Sequence, residues 1–283
     1  METNSKYSLN FNLVIDNILQ FILILIVVNY TVFIVLILKK IMSSSNKTFS
    51  IITPVLNSKN RLIKTIESIK KQQFKDYELI VIDGGSTDGT LDYINNEKAI
   101  NKKISEIDRG IYDAINKGIN LSEGKYINTI NAGDEYFSEN SLNIINNYFE
   151  QNHEISFIFG AVKKNKVYHK YEPEKMNWSF NFYPAHSGGF FVKKDIHNKI
   201  GLYNLKYKCS SDYDFFWRLI KKNNYKGIST KKNEIISIFE PGGFSSKLSF
   251  FEHVLEETQI RMNNKQNKFI VLLIFFLRCM LHF

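Results

Sequence analysis

Two cysteines in 283 residues, Cys209 and Cys279, are too few for a disulfide framework or a cysteine metal cage. The chain therefore reads as one held in a reducing compartment. No Gly-x-Gly-x-x-Gly stands at the glycine-rich turn of residues 83–90, and no Gly-Lys-Ser/Thr occurs anywhere, so the dinucleotide and P-loop fingerprints are missing. There is no long basic arm and no zinc-finger spacing of Cys and His. The 37 Lys and Arg against 28 Asp and Glu, a formal charge of +9, are scattered in pairs such as Lys39-Lys40, Lys70-Lys71 and Lys221-Lys222. A positive surface attracts phosphorylated substrates or an anionic leaflet as readily as nucleic acid, and this scatter argues for no nucleic-acid partner.

What is present is a folding chain, 44% hydrophobic and 14% aromatic, long enough for one sizeable domain with an appendage at each end. Residues 18–38 read ILQFILILIVVNYTVFIVLIL, broken only by Gln20, Asn29 and Thr31. About 20 apolar residues in a helix cross the hydrocarbon core, so this run is expected to span a membrane once. A signal peptide has a shorter apolar region and a small-residue cleavage site; a buried core helix is the other alternative. Lys39, Lys40 and Lys47 follow the run, whereas Glu2, Lys6 and Asp16 precede it. The positive-inside bias then puts everything after residue 38 in the cytoplasm, beneath an inner or plasma membrane. Residues 269–277 read FIVLLIFFL and are followed by Arg278. That run is too short for a span; it either contacts membrane lipid at the interface, approached through Arg261, Lys265 and Lys268, or packs on the core.

The chain thus divides into a tail, membrane helix and linker over 1–46, an α/β domain over 47–246, and a helical segment over 247–283. Within the domain, strand-like runs at 49–53, 77–82, 103–106, 126–130 and 155–159 alternate with helical stripes. The stripes are Leu62, Ile63, Ile66 and Ile69; Ile111, Ile115 and Ile119; and Leu142, Ile145 and Phe149. The first strand is expected to stop at Pro54. Such alternation calls for a largely parallel sheet flanked by helices, whose ligands gather outside the carboxyl ends of the strands.

The polar residues behind each strand are therefore the ones to read for chemistry. After 77–82 comes Asp83-Gly84-Gly85-Ser86-Thr87-Asp88-Gly89-Thr90. Its glycines admit a ligand to the backbone and its acids offer acceptors to ribose or base, although an ordinary turn looks the same. After 103–106 come Asp108-Arg109-Gly110 and a helix bearing Tyr112, Asp113, Asn116 and Lys117. Asp113 and Lys117 form either a surface ion pair or part of a site, and Arg109 beside a helix start suits a diphosphate. After 126–130 come Asn131-Ala132-Gly133-Asp134-Glu135, where Asp134 either holds a hard divalent cation or caps a turn. Ser211-Asp212-Tyr213-Asp214 brings two carboxylates to a helix start, where both also suit capping.

Together these strings resemble the family 2 glycosyltransferases of GT-A fold, in particular the branch similar to colanic-acid transferases of bacterial polysaccharide clusters. The matching pieces are 50–57 (SIITPVLN), 81–90 (VIDGGSTDGT), 105–118 (SEIDRGIYDAINKG), 131–134 (NAGD) and 211–214 (SDYD), in that order. The resemblance implies inverting transfer from a nucleotide-sugar donor, UDP-linked by preference, to a glycan or lipid-linked acceptor. It puts Thr53, Asp83 and Asp108 near base and ribose, with Arg109 and Lys117 on the donor side. It sets Asp134 beside the diphosphate and a Mg2+ or Mn2+ ion. His186 and Asp212 face the acceptor, with Asp212 as general base and Asp214 beside it. The family's acidic triplet has carboxylates where this chain has Asn131 and Gly133, and its frequent Asp-Asp is Asp83-Gly84 here. A nucleotidyltransferase would want a basic triphosphate loop where Asn57-Ser58-Lys59-Asn60-Arg61 stands. A glycan-binding scaffold without activity would not need both Asp134 and Asp212.

Overall fold

The computed structural model describes residues 19–35, 47–169, 186–243 and 249–280. Residues 19–35 form helix α1, exposed throughout, in a unit of its own, Met1–Asn46. Residues 18 and 36–38 of the expected span lie outside the described residues. Among the described residues no helix is long and apolar enough to cross a membrane.

In the second unit, Lys47–Phe283, strand β1 (Phe49–Val55) is buried along its whole length because both faces of the sheet it joins are covered. Alternating side chains divide between two cores. Ile52 of β1, with Ile80 and Ile82 of β2 (Tyr77–Asp83), meets Ile115 and Ile119 of helix α4 (Ile111–Leu121) on one face. Phe49, Ile51, Leu79 and Val81 meet Leu62, Ile66 and Ile69 of α2 (Lys59–Lys70) on the other. Helix α3 (Thr90–Asn96) follows β2, and β3 (Lys102–Ser105) extends the sheet in parallel.

Strand β4 (Tyr126–Thr129) pairs with β1 in parallel. Then come β5 (Glu135–Tyr136), α5 (Ser141–Gln151), β6 (Phe157–Phe159), β7 (Ala161–Lys163) and β8 (Val167–Tyr168). Next are a 3-10 turn (Ser187–Gly189), β9 (Phe190–Lys193), α6 (Lys194–Ile200) and α7 (Ser211–Phe216), which widens into a π-type turn over Trp217–Lys222. Strands β10 (Gly227–Ser229) and β11 (Ile235–Ile238) and helices α8 (Phe250–Asn263) and α9 (Lys268–Met280) complete the chain. The main sheet runs β10-β6-β9-β4-β1-β2-β3, and a smaller one runs β5-β11-β7-β8. All main-sheet pairs are parallel except the two made by β9. The largely parallel sheet flanked by helices is thus present.

Strand β1 does not stop at Pro54. The Ile52 and Pro54 carbonyls accept from Ile130 and Ala132 on the β4 side, and the last register pair with β4 is Ile52↔Thr129. The missing N–H of Pro54 lies on the β4 side, past the last register pair, so it forgoes one bond at the end of that ladder, while pairing with β2 carries β1 on through Val55↔Asp83. At the C-terminus, Val271 and Ile274 of α9 are buried, while Phe269, Phe276 and Met280 are exposed. Arg278 of α9 pairs with Glu257 of α8.

Candidate active site

A cleft of about 320 Å³ opens at the carboxyl edge of the parallel strands, lined by Leu56 after β1, Gly84 after β2, Asp108 after β3 and Asn131 after β4. Its floor at 131–134 is held by α2. Besides its apolar stripe, that helix carries a polar row, Arg61, Thr65 and Ser68, at three- and four-residue spacing, which Gln72 continues just past its end. The Thr65 hydroxyl accepts from Gly133 N at 2.9 Å and donates to Asp134 O at 2.7 Å. Ser68 Oγ accepts from Tyr136 N at 3.2 Å, and Gln72 donates to Ser138 O at 2.8 Å. The Arg61 guanidinium reaches Ala132 O at 3.3 Å and Glu240 O at 3.2 Å.

The opposite wall is gripped by α4 in the same manner. The Asn116 amide donates to Tyr203 O at 2.9 Å and accepts from Tyr203 N at 3.0 Å. One turn earlier, the Tyr112 hydroxyl lies 3.0 Å from both Cys209 O and Asp212 Oδ1. Helix α8 adds a third hold: the Glu256 carboxylate accepts from the backbone N–H groups of Lys208, Cys209 and Ser210 at 2.6, 2.9 and 3.0 Å. Burial first, then Glu256, pushes the neighbouring Cys209 thiol up to about 12. It stays protonated and is no nucleophile. His186 also lines this side, stacked on Phe239 with ring centroids 4.8 Å apart.

Of the expected residues, Asp108, Asp134, His186 and Asp212 come together in this cleft; Thr53, Asp83, Arg109, Lys117 and Asp214 are not among its lining residues. Thr53 is fully buried in β1. Asp83, also fully buried, accepts from Ser86 N and from the Ser105 hydroxyl at 2.6 Å, so it shapes the loop beneath the cleft. Arg109 points outward, its side chain 77% exposed, with Asp113 as its partner. Lys117 is enclosed by Asp108, Glu106 at 2.8 Å and Asp113 at 3.6 Å, so it neutralises the loop's own acids. Asp214 is buried against Arg218 at 2.9 Å. Sequence reasoning passed over Arg61 and Glu256 and named Tyr112 on its helix without giving it a role; the polar row beginning on α2 is the signal that points to Arg61.

Asp134 stands at a strand end as expected, but its surroundings do not fit the Mg2+ or Mn2+ ion assigned to it. At a nucleotide site such an ion is held by one or two carboxylates together with substrate phosphates and water. Among the described residues no three His, Cys, Asp or Glu side chains form a ready-made cage, and Glu240, the other carboxylate near Asp134, is paired with Lys64 at 3.5 Å. Asp134 Oδ1 already accepts from Glu240 N at 2.9 Å. Burial pushes the carboxyl up to about 7, against the opposing pull of that N–H and of Arg61. A cation here would also meet the Arg61 guanidinium.

A family model described as glycosyl transferase family 2 matches residues 50–229. A PGL/p-HBAD biosynthesis glycosyltransferase of Mycobacterium tuberculosis is 29% identical over 177 residues, 59% of this chain and 67% of its own length. S. aureus TarS 1–349 in complex with UDP-GlcNAc superposes with a TM-score of 0.60 at 17% identity, over 76% of this chain and 66% of that one. A mannosyltransferase from Pyrobaculum calidifontis in complex with GDP-Man and Mn2+ superposes with a TM-score of 0.58 at 12% identity, over 78% and 65%. At these identities the two structures establish the fold. The chain spans 39% of a longer TarS chain. The family match runs from β1 through β10 and so takes in the whole sheet that carries the cleft; the chain belongs to glycosyl transferase family 2.

Proposed function

We propose that the chain moves a sugar from a nucleotide-sugar donor, UDP-linked by preference, onto a hydroxyl of a glycan or lipid-linked acceptor in cell-surface polysaccharide synthesis, with inversion at the anomeric carbon. The observation that carries this reading is the position of Asp212, half-buried in the same cleft as Asp108 and Arg61. A single displacement needs one base on the acceptor's proton and one positive group on the departing diphosphate. Asp212, oriented by Tyr112 and by Tyr213 N at 2.9 Å, is the base; a positioned base contributes about 10²–10⁴-fold. The nucleoside lies toward Leu56, Gly84 and Asp108, and the acceptor toward His186. The UDP-GlcNAc bound by the TarS neighbour supports a uridine donor.

In the same proposal, α1 belongs to a single-pass anchor and the catalytic domain is cytoplasmic. Support comes from the apolar, exposed residues 19–35 and the lysines beyond them. The outer face of α9 contacts membrane lipid, since exposed Phe269 and Phe276 lie beside exposed Lys265 and Lys268. Incubating membrane fractions with a panel of nucleotide sugars and candidate acceptors tests the activity. One donor is expected to be consumed with transfer, and no consumption across the panel contradicts the reading. Reagent access to a cysteine introduced at Ser43 only from outside intact cells contradicts the orientation.

A further inference from the structure

A departing nucleoside diphosphate needs positive charge beside the oxygen that takes up the electron pair, and either a metal ion or a side chain can supply it. Among the described residues lining the cleft, Arg61 is the one Lys or Arg. Its guanidinium lies against the backbone of Gly133. A Cβ built on that residue would stand 2.5 Å from Nε and 2.6 Å from Nη2, and Gly133 has φ +109°, where L side chains are strained. A side chain at 133 would therefore displace the guanidinium from this turn and be strained at that φ; the chain has glycine there, with the arginine packed against it. The position otherwise open to a second carboxylate is filled by a cation of the protein itself.

Three of the five guanidinium N–H groups donate to carbonyls, those of Ala132 at 3.3 Å, Glu240 at 3.2 Å and Pro241 at 3.3 Å. These bonds fix the plane of the fork from two sides of the cleft. One N–H on each terminal nitrogen remains, which is the pattern for bidentate contact with phosphate oxygens. An arginine so held is always charged and needs no reorientation as charge develops.

Resting on the transfer proposed above, we infer that Arg61 does the work of a divalent cation: its remaining N–H groups hold the donor diphosphate, and transfer runs without a metal ion. As the acceptor oxygen bonds to the anomeric carbon, that carbon's bond to the diphosphate oxygen breaks. The electron pair leaves with the diphosphate, the acceptor proton passes to Asp212, and Arg61 meets the added negative charge.

The test uses the full chain, titrated calorimetrically with UDP and with UMP after exhaustive chelation and again with Mn2+ added, with transfer measured under the same two conditions. UDP affinity and transfer rate are expected to agree within about twofold between the two. Arg61→Gln is expected to weaken UDP about tenfold or more, and UMP, which lacks the second phosphate, by no more than about twofold. Should Arg61→Gln fail to fold, Arg61→Lys, which keeps the charge and loses the fork, is read the same way. Transfer or UDP binding that collapses on chelation and returns with Mn2+ overturns the inference. Equal losses of UDP and UMP overturn it too, since that is what a loosened loop alone would give. A wild-type chain that binds no nucleoside diphosphate and consumes no nucleotide sugar contradicts the transferase reading itself, whereas cation-dependent transfer leaves that reading standing and removes only the role of Arg61.

Discussion

On the wall of the cleft proposed to take the donor, Leu56, Gly84, Asp108 and Asn131 each stand one to three residues beyond the strand that delivers them. On the wall proposed to take the acceptor, Asp212 is oriented by Tyr112, 100 residues earlier, and the loop before it hangs on Glu256 of α8. A wall delivered by strand ends is as rigid as the sheet. A wall held by a few long-range hydrogen bonds depends on each of them, so changes far from the chemistry are expected to reach turnover there without touching donor binding.

The largest expected effect is at Asp212, the proposed base. Asp212→Asn keeps the shape and helix-capping ability and removes the proton acceptor, so turnover falls about 100-fold or more with UDP affinity unchanged; if Asp212 only caps α7, the rate stays near normal. Glu256→Ala leaves three backbone donors without their acceptor. Turnover is expected to fall about tenfold with donor affinity kept, and Glu256→Gln to recover part of it. An equal loss of donor affinity would erase the contrast between the walls.

Glu78 probes the rigidity of the donor wall. Its buried carboxylate accepts from Ser50 Oγ at 2.6 Å and pairs with Lys102 at 2.9 Å. Burial works to raise its pKa, but Ser50, the Glu123 N–H and Lys102 outweigh that and hold it below the ordinary 4.5. The stability it contributes is present above that ordinary value and lost as pH falls through the lowered one. Glu78→Gln is expected to cost about 1–3 kcal/mol at neutral pH, and its melting temperature should fall less steeply than the wild type's below pH 4.5. Parallel acid profiles would remove Glu78 as the cause. The smallest effect belongs to outward-facing Arg109: Arg109→Ala should alter stability by no more than about 0.5 kcal/mol and leave UDP binding within about twofold. A larger loss would put Arg109 back on the diphosphate.

The same contrast governs what the sequence reveals. The donor wall was legible because buried strands leave apolar runs, and the residues behind them could be read in order. Asp108, read that way, lines the cleft, while Asp83 and Thr53, read the same way, are fully buried and outside its lining, since a motif names residues without saying which way they face. Lys117 looked like a donor ligand because its partners Glu106 and Asp108 sit in the preceding loop, where helical spacing says nothing about them. Strand β9, four residues that run against their neighbours, has too short a pattern to stand out. Arg61 was passed over because an apolar stripe at 62, 63, 66 and 69 explains α2 on its own, and the polar row beside it acquires meaning only once the loop of 131–142 is seen docked against it. The Glu256 contact joins residues 46 to 48 apart and leaves no local trace.

The most direct test of the proposed chemistry is the anomeric configuration of the product, read by proton NMR during transfer from the donor that the panel identifies. We expect inversion in every turnover, as a single displacement with Asp212 taking the acceptor's proton requires, and no accumulation of a sugar bound to the protein. Retention of configuration, or transfer that continues undiminished in Asp212→Asn, contradicts it.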